Sequence, residues 1–184
     1  MAGGLSEASF GLLMECRRKL AEHFSYADGK DLGSHTDGRV PLMPAHERYD
    51  GNLYRKIGNS AWTSLRACNA KTVLIVSALY GLVAPWEPIR EYERCISDKV
   101  GGLRLARWWS QRGLGSFIVE YAKLTGAHIV HDFLSGAYAR ISEEFSSLKP
   151  KVKVERHEFR GRYSAADYYR GWEVQRLIAG SPDR

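Results

Sequence analysis

The run Thr72-Val73-Leu74-Ile75-Val76 constrains the fold more than any other stretch of the chain. Five consecutive apolar or β-branched residues leave no solvent face, so the spacing predicts a strand buried on both sides, as in helix-covered sheets. The rest of the chain alternates between the two periodicities. Phe10-Gly11-Leu12-Leu13-Met14-Glu15-Cys16 reads as a first strand ahead of the basic cluster Arg17-Arg18-Lys19. Leu53, Ile57, Trp62 and Leu65 predict a helix over 52–68, weakened by Gly58. Phe117, Ile118, Tyr121 and Leu124 follow helical spacing; 127–130 reads as a strand, 136–145 as a helix, 152–156 as extended and 165–178 as a closing helix. Strands alternating with helices predict an α/β fold: one compact domain over 1–184, with a mixed β-sheet flanked by helices. Residues 28–46, rich in Gly, Asp, Ser, His and Pro, form a long surface loop, of a length that is often functional or mobile.

A chain of 184 residues, 44% of them hydrophobic, can bury a core of its own, which excludes wholesale disorder. No apolar run approaches a bilayer span, no basic-then-apolar leader opens the chain, and Ala2 replaces the glycine that myristoylation needs. The expectation is a soluble, cytoplasmic protein without a membrane partner. Cys16, Cys68 and Cys95 are odd in number and far apart, so they build neither a disulfide framework nor a zinc knuckle and suit a reducing compartment. His128 and His131 would point to opposite faces of a strand. Neither a metal site nor a cofactor is expected.

Chemistry concentrates after the strand at 72–76, because ligands in open α/β sheets bind beyond the carboxyl ends of strands. Ser77, Tyr80 and Gly81 fall there, where a hydroxyl, a phenol and a pliable backbone could hold a polar group or simply pack. Charge is uneven as well. The chain carries +6 overall, and 149–176 holds eight basic residues against four acidic ones, interleaved with Phe159, Tyr163, Tyr168, Tyr169 and Trp172. Such a segment suits nucleic acid, with bases stacking on rings, or is a solvated basic face. Within the last helix Arg170 shares a column with Ala166, Val174 and Ile178, so its guanidinium calls for an anionic partner, a carboxylate or a ligand phosphate. Cys16 beside Arg17, Arg18 and Lys19 reads either as a cation-stabilised thiolate or as a buried inert thiol. Val100-Gly101-Gly102-Leu103-Arg104-Leu105-Ala106 faintly echoes a helix-hairpin-helix turn.

Taken together, the motifs resemble the peroxide-stress protein YaaA family and its shorter relatives. The main match is Ser77-Ala78-Leu79-Tyr80-Gly81-Leu82-Val83-Ala84-Pro85 followed by Ile89 and Tyr92. Tyr49-Asp50-Gly51-Asn52-Leu53-Tyr54, Leu105-Ala106-Arg107-Trp108-Trp109, His131-Asp132-Phe133-Leu134-Ser135-Gly136-Ala137-Tyr138 and the closing segment with Arg162 and Arg170-Gly171 follow in the family's order. Cys16-Arg17-Arg18-Lys19 is similar to the Cys-x-x-Lys loop of the shorter relatives. The resemblance implies a compact α/β fold with a positively charged cleft, DNA binding and a role in limiting oxidative damage. Glu87 and Glu93 replace the family's usual Asp and Arg, and most of the N-terminal helix-hairpin-helix-like region of the long members has no counterpart here, which points to a smaller substrate.

The sequence reading is therefore a cytoplasmic YaaA-like protein whose basic cleft binds nucleic acid or a nucleotide-like anion, in oxidative-stress protection or DNA maintenance. Tyr80, Tyr92, Ser135 and Tyr138 would line that cleft, Arg162 and Arg170 would hold phosphate, and Arg17 and Lys19 would also bind the ligand or nucleic acid. The alternative is an enzyme, a hydrolase or transferase acting on a nucleoside, nucleotide or modified base, for instance at its N-glycosidic bond. Cys16, Ser77, Tyr80 and Glu87 would then be the catalytic set.

Overall fold

A computed structural model describes residues 4–34, 40–134, 136–159 and 165–180. It is a mixed α/β structure. The first element corrects the sequence reading: 10–16 is not a strand but the middle of helix α1 (Glu7–His23). Ser6 caps it, its side chain accepting from the Ser9 backbone N–H, and Leu13, Met14, Cys16, Arg17, Leu20 and Ala21 are buried at helical spacing. The apolar cluster at 10–14 looked extended because its three- and four-residue repeat becomes visible only when Leu20 and Ala21 are included.

A 3-10 turn (Lys30–Leu32) and strand β1 (Leu42–Pro44) give the described part of the 28–46 loop regular structure. Helices α2 (Ala45–Arg48) and α3 (Asn52–Ala67) follow, the latter broken in its backbone at Gly58, where φ is 75°. The strand expected at 72–76 is the shorter β2 (Ile75–Ser77), which folds back at once on β3 (Gly81–Val83) in an antiparallel hairpin. β4 (Pro88–Arg90) pairs antiparallel with β1, and β5 (Lys99–Val100) with β6 (Leu103–Arg104). The Gly101-Gly102 echo of a DNA-binding turn is thus the tip of a β-hairpin that leads into α4 (Leu105–Ser110). After α5 (Leu114–Leu124), β7 (Ile129–Asp132) runs parallel to β8 (Lys153–Arg156), with a 3-10 helix (Gly136–Leu148) as crossover. Helix α6 (Ala166–Ala179) is the last described element. Among the described residues both strand senses occur, in four two-stranded ladders rather than one continuous sheet.

Two apolar clusters organise these pieces. The larger gathers α1, the β2–β3 hairpin, α4, α5 and the 3-10 crossover around Trp109, whose indole N–H donates to the Ala78 carbonyl at 2.8 Å. Gly81 is obligatory beneath it: φ is 69°, and a Cβ there would stand 2.6 Å from the Trp109 ring. The smaller unites Ile57, Ala61, Trp62 and Leu65 of α3 with Ile178 of α6. The two helices cross closely at Gly171, where a Cβ would lie 2.3 Å from the Leu53 carbonyl oxygen.

Candidate functional site

The hairpin turn 78–80 is held from beneath by Arg17, a fully buried arginine on the inner face of α1. Its Nε donates to the Tyr80 carbonyl at 2.9 Å, its Nη2 to the Leu82 carbonyl at 2.5 Å and its Nη1 to Glu87 at 2.5 Å. Arg17 was expected to bind the ligand or nucleic acid; here it satisfies the carbonyls of a tight hairpin, a task that a five-donor planar group performs well. Glu87, a catalytic candidate, serves as its counter-ion and also accepts from the Ala84 N–H.

Tyr80 is wholly buried, and its hydroxyl faces protein rather than a cavity. It donates to Asp31 and accepts from the Arg90 N–H at 3.2 Å. Arg90 grips the same carboxylate at both oxygens, 2.7 Å each. Burial alone would raise the Asp31 carboxyl, yet the bonds from Arg90 and Tyr80 outweigh it and hold the group below the ordinary carboxylate range. Burial, with the Asp31 carboxylate alongside, pushes the Tyr80 phenol well up.

Next to Tyr80 lies a cluster of phenols. The Tyr92 hydroxyl sits 2.7 Å from Ser77 Oγ and 2.8 Å from the Tyr49 hydroxyl, and Tyr49 stacks on Tyr54 with centroids 5.0 Å apart. Ser77 Oγ also accepts from the Tyr80 N–H at 3.1 Å. Burial raises Tyr49, Tyr54 and Tyr92 above the usual phenol range, and pushes Tyr138, close enough to interact with Tyr49, up to about 12. Five neutral phenols thus back the hairpin.

The structure brings Arg17, Ser77, Tyr80, Glu87, Tyr92 and Tyr138 into one neighbourhood and leaves other candidates elsewhere. Cys16 is buried in the core, where desolvation pushes its thiol up, opposite to a cation-stabilised thiolate. Lys19 is exposed and pairs with Glu15 at 2.5 Å. Arg170 donates to Asp167 at 2.5 Å and lies over the Phe159 ring at 5.4 Å, while its buried Nε has no hydrogen-bond partner among the described residues. Its expected anionic partner is therefore a carboxylate one turn away. Ser135 and Arg162 lie outside the described residues.

Beyond the far side of Arg17 opens a cleft of about 430 Å³ that the sequence reading missed. Phe10, Met14 and Pro88 form its apolar wall, Arg17, Asp31 and Glu87 its polar floor, and the exposed Arg18 and Lys30 its cationic margin. Its one sequence signal was the basic run 17–19, which becomes informative only once α1 is seen to be helical and to point Arg17 inward, Arg18 toward the cleft and Lys19 to solvent. Outside the cleft, His131, Glu155 and His157 bring three donor atoms within 4.8 Å of one another.

Fold and site together define a small α/β protein built round a buried Leu-Tyr-Gly hairpin, locked by an arginine and an aspartate and flanked by a cleft with a positive margin. The family model of the peroxide stress protein YaaA matches residues 2–181, nearly the whole chain, and the protein belongs to that family. Compared one by one, no curated protein is similar enough to match it. No helix among the described residues is long and apolar enough to cross a membrane.

Proposed function

We propose that this YaaA-family chain binds a nucleotide-like anion, free or within a nucleic-acid strand, in the cleft between α1 and β4, and contributes in this way to protection from peroxide damage. One observation carries the reading: the cleft sets cations against an apolar wall. Three cations and two carboxylates line it, and Arg90 already holds one of those carboxylates, Asp31. Arg17 is committed to Glu87, so the cation presented at the margin is the exposed Arg18, with Lys30 beside it. A phosphate there would leave a base against Phe10, and the volume lies within the range that small-molecule sites occupy. The Tyr80–Asp31–Arg90 network does not touch the ligand in this scheme; it fixes the floor.

Fluorescence polarisation with labelled mononucleotide, single-stranded DNA and duplex DNA, each across a salt series, tests it. A strand engaging several phosphates should lose affinity with a log–log slope of roughly 0.7–0.9 per contact, whereas a mononucleotide gives a shallow slope. Arg18→Glu with Lys30→Glu should abolish binding without loss of folding. Unchanged affinity in that double variant, or no binding of any probe at low salt, refutes the assignment.

A further inference from the structure

Parallel pairing places three metal-ligating side chains on one face of the β7–β8 ladder. His131 is in register with Glu155, so the two project on the same side, and His157 lies two residues beyond Glu155 and returns to that side. The ladder extends far enough to fix it: the His157 N–H donates to the Asp132 carbonyl at 2.9 Å. The alternate residues take the other face, where Arg156 pairs with the buried Asp132 at 3.0 Å. Phe133 stacks on the His157 imidazole, with centroids 4.3 Å apart and planes 12° off parallel, and so holds the ring's orientation.

From these contacts we infer that His131, Glu155 and His157 form a binding site for a first-row divalent transition-metal ion of the zinc type. His131 Nδ1 is 3.0 Å from His157 Nε2 and 3.2 Å from Glu155 Oε2. Two ligands bonded at about 2.0–2.1 Å to one tetrahedral ion stand about 3.3 Å apart, so these separations suit a shared ion. Hydrogen bonding satisfies the arrangement less well, because Nδ1 can carry only one proton to serve both neighbours. The donor set, two imidazoles and one carboxylate, selects borderline ions over calcium or magnesium. All three side chains are partly exposed, which leaves coordination positions for water. The surrounding charges are Lys153, which binds the other oxygen of Glu155, and the Glu173–Arg176 pair of α6 near His157. None of the three ligands lines the α1–β4 cleft, so this site stands or falls apart from nucleotide binding.

The test is calorimetric titration of the full chain with Zn²⁺, in a Cys68→Ser, Cys95→Ser background that removes the two accessible thiols. Co²⁺ absorption in the visible region reports the ligand geometry. One equivalent should bind, and His131→Asn and His157→Asn should each weaken it by roughly 100-fold or more, given that even outer-shell changes cost about 10–100-fold. Glu155→Gln, a near-isosteric change at a partly exposed position, supplies a variant whose folding is safe and should weaken binding too. His128→Asn should bind as the parent does. Absence of saturable Zn²⁺ binding in the parent, or parental affinity in Glu155→Gln together with a folded His157→Asn, overturns the inference.

Discussion

Replacing Tyr80 with Phe removes one oxygen from the centre of the hairpin support and nothing from its apolar packing. The lost hydroxyl donates to an ionised carboxylate, an interaction typically worth about 1.5–3 kcal/mol, and it also leaves the Arg90 N–H without its acceptor. Arg90 still grips Asp31 through two bonds, so the carboxylate is not stranded. A net cost of about 2 kcal/mol follows, which for a chain of this size lowers the thermal midpoint by roughly 4–8 °C. The pH dependence carries a second signature. The folded Asp31 carboxyl lies below its unfolded value of about 3.9, so its contribution is complete above that value and is lost as pH falls through the folded one. Without the Tyr80 donor, the folded value moves up and acid unfolding begins at higher pH. Urea denaturation at neutral and acid pH, with nucleotide binding measured on the same sample, separates the possibilities. An unchanged midpoint together with lost binding would mean that the phenol meets ligand, and the structural assignment of Tyr80 would fail.

Arg17→Met should destabilise by about 3–5 kcal/mol, since it leaves Glu87 and the two turn carbonyls without their buried donor; a variant as stable as the parent in urea would contradict that role. Alkali should unfold the protein cooperatively. Tyr49, Tyr54, Tyr80, Tyr92 and Tyr138 stay protonated in the folded state above the pH of about 10 at which they ionise when unfolded, so stability falls as pH rises past that point. Phenolate absorbance should accordingly appear in two phases, the exposed tyrosines first and these five with loss of structure, and a single smooth titration would disprove it. Gly171→Val should cost about 1–3 kcal/mol by forcing α6 away from α3, read as a lowered thermal midpoint; an unaffected midpoint would show that the crossing yields freely.

Elements whose periodicity is complete within a dozen residues were legible in the sequence. Ile57, Trp62 and Leu65 announced α3, and Gly58 its break; Phe117 and Ile118 announced α5, and 152–156 the strand β8. Reading 10–16 as a strand weighed a local apolar cluster over the longer repeat through Leu20, and missed Ser6 as a cap. The run at 72–76 was misread in both burial and topology: Ile75 alone is buried, Val73, Leu74 and Val76 are half-buried, Thr72 is exposed, and the strand starts only at Ile75. It turns straight back as a hairpin, so Ser77 and Tyr80 sit at a tight turn instead of at an open sheet end. For the candidate site, the motif around Tyr80 marked a densely bonded part of the fold, but a phenol in a sequence carries no sign of whether its hydroxyl meets ligand or, as the structure has it, Asp31. The His131–Glu155–His157 group was invisible for a different reason. Its members are brought together by parallel register across a crossover, a relation that no spacing rule along one strand encodes.

The pairing of α3 with α6 also has a consequence in time. Ile57, Trp62 and Leu65 are covered in part by neighbours close in sequence, Val73 and Trp86, but find the rest of their cover in a helix that begins at Ala166. At about 5–20 residues per second, the roughly one hundred residues between the two helices take about 5–20 s to synthesise. For most of that interval the apolar stripe of α3 has emerged from the ribosome without its partner helix, while α1 and the hairpin above Arg17 can already assemble. The nascent chain is therefore sticky along one defined stripe for a defined interval, and that interval is when a holding chaperone would be of most use to it.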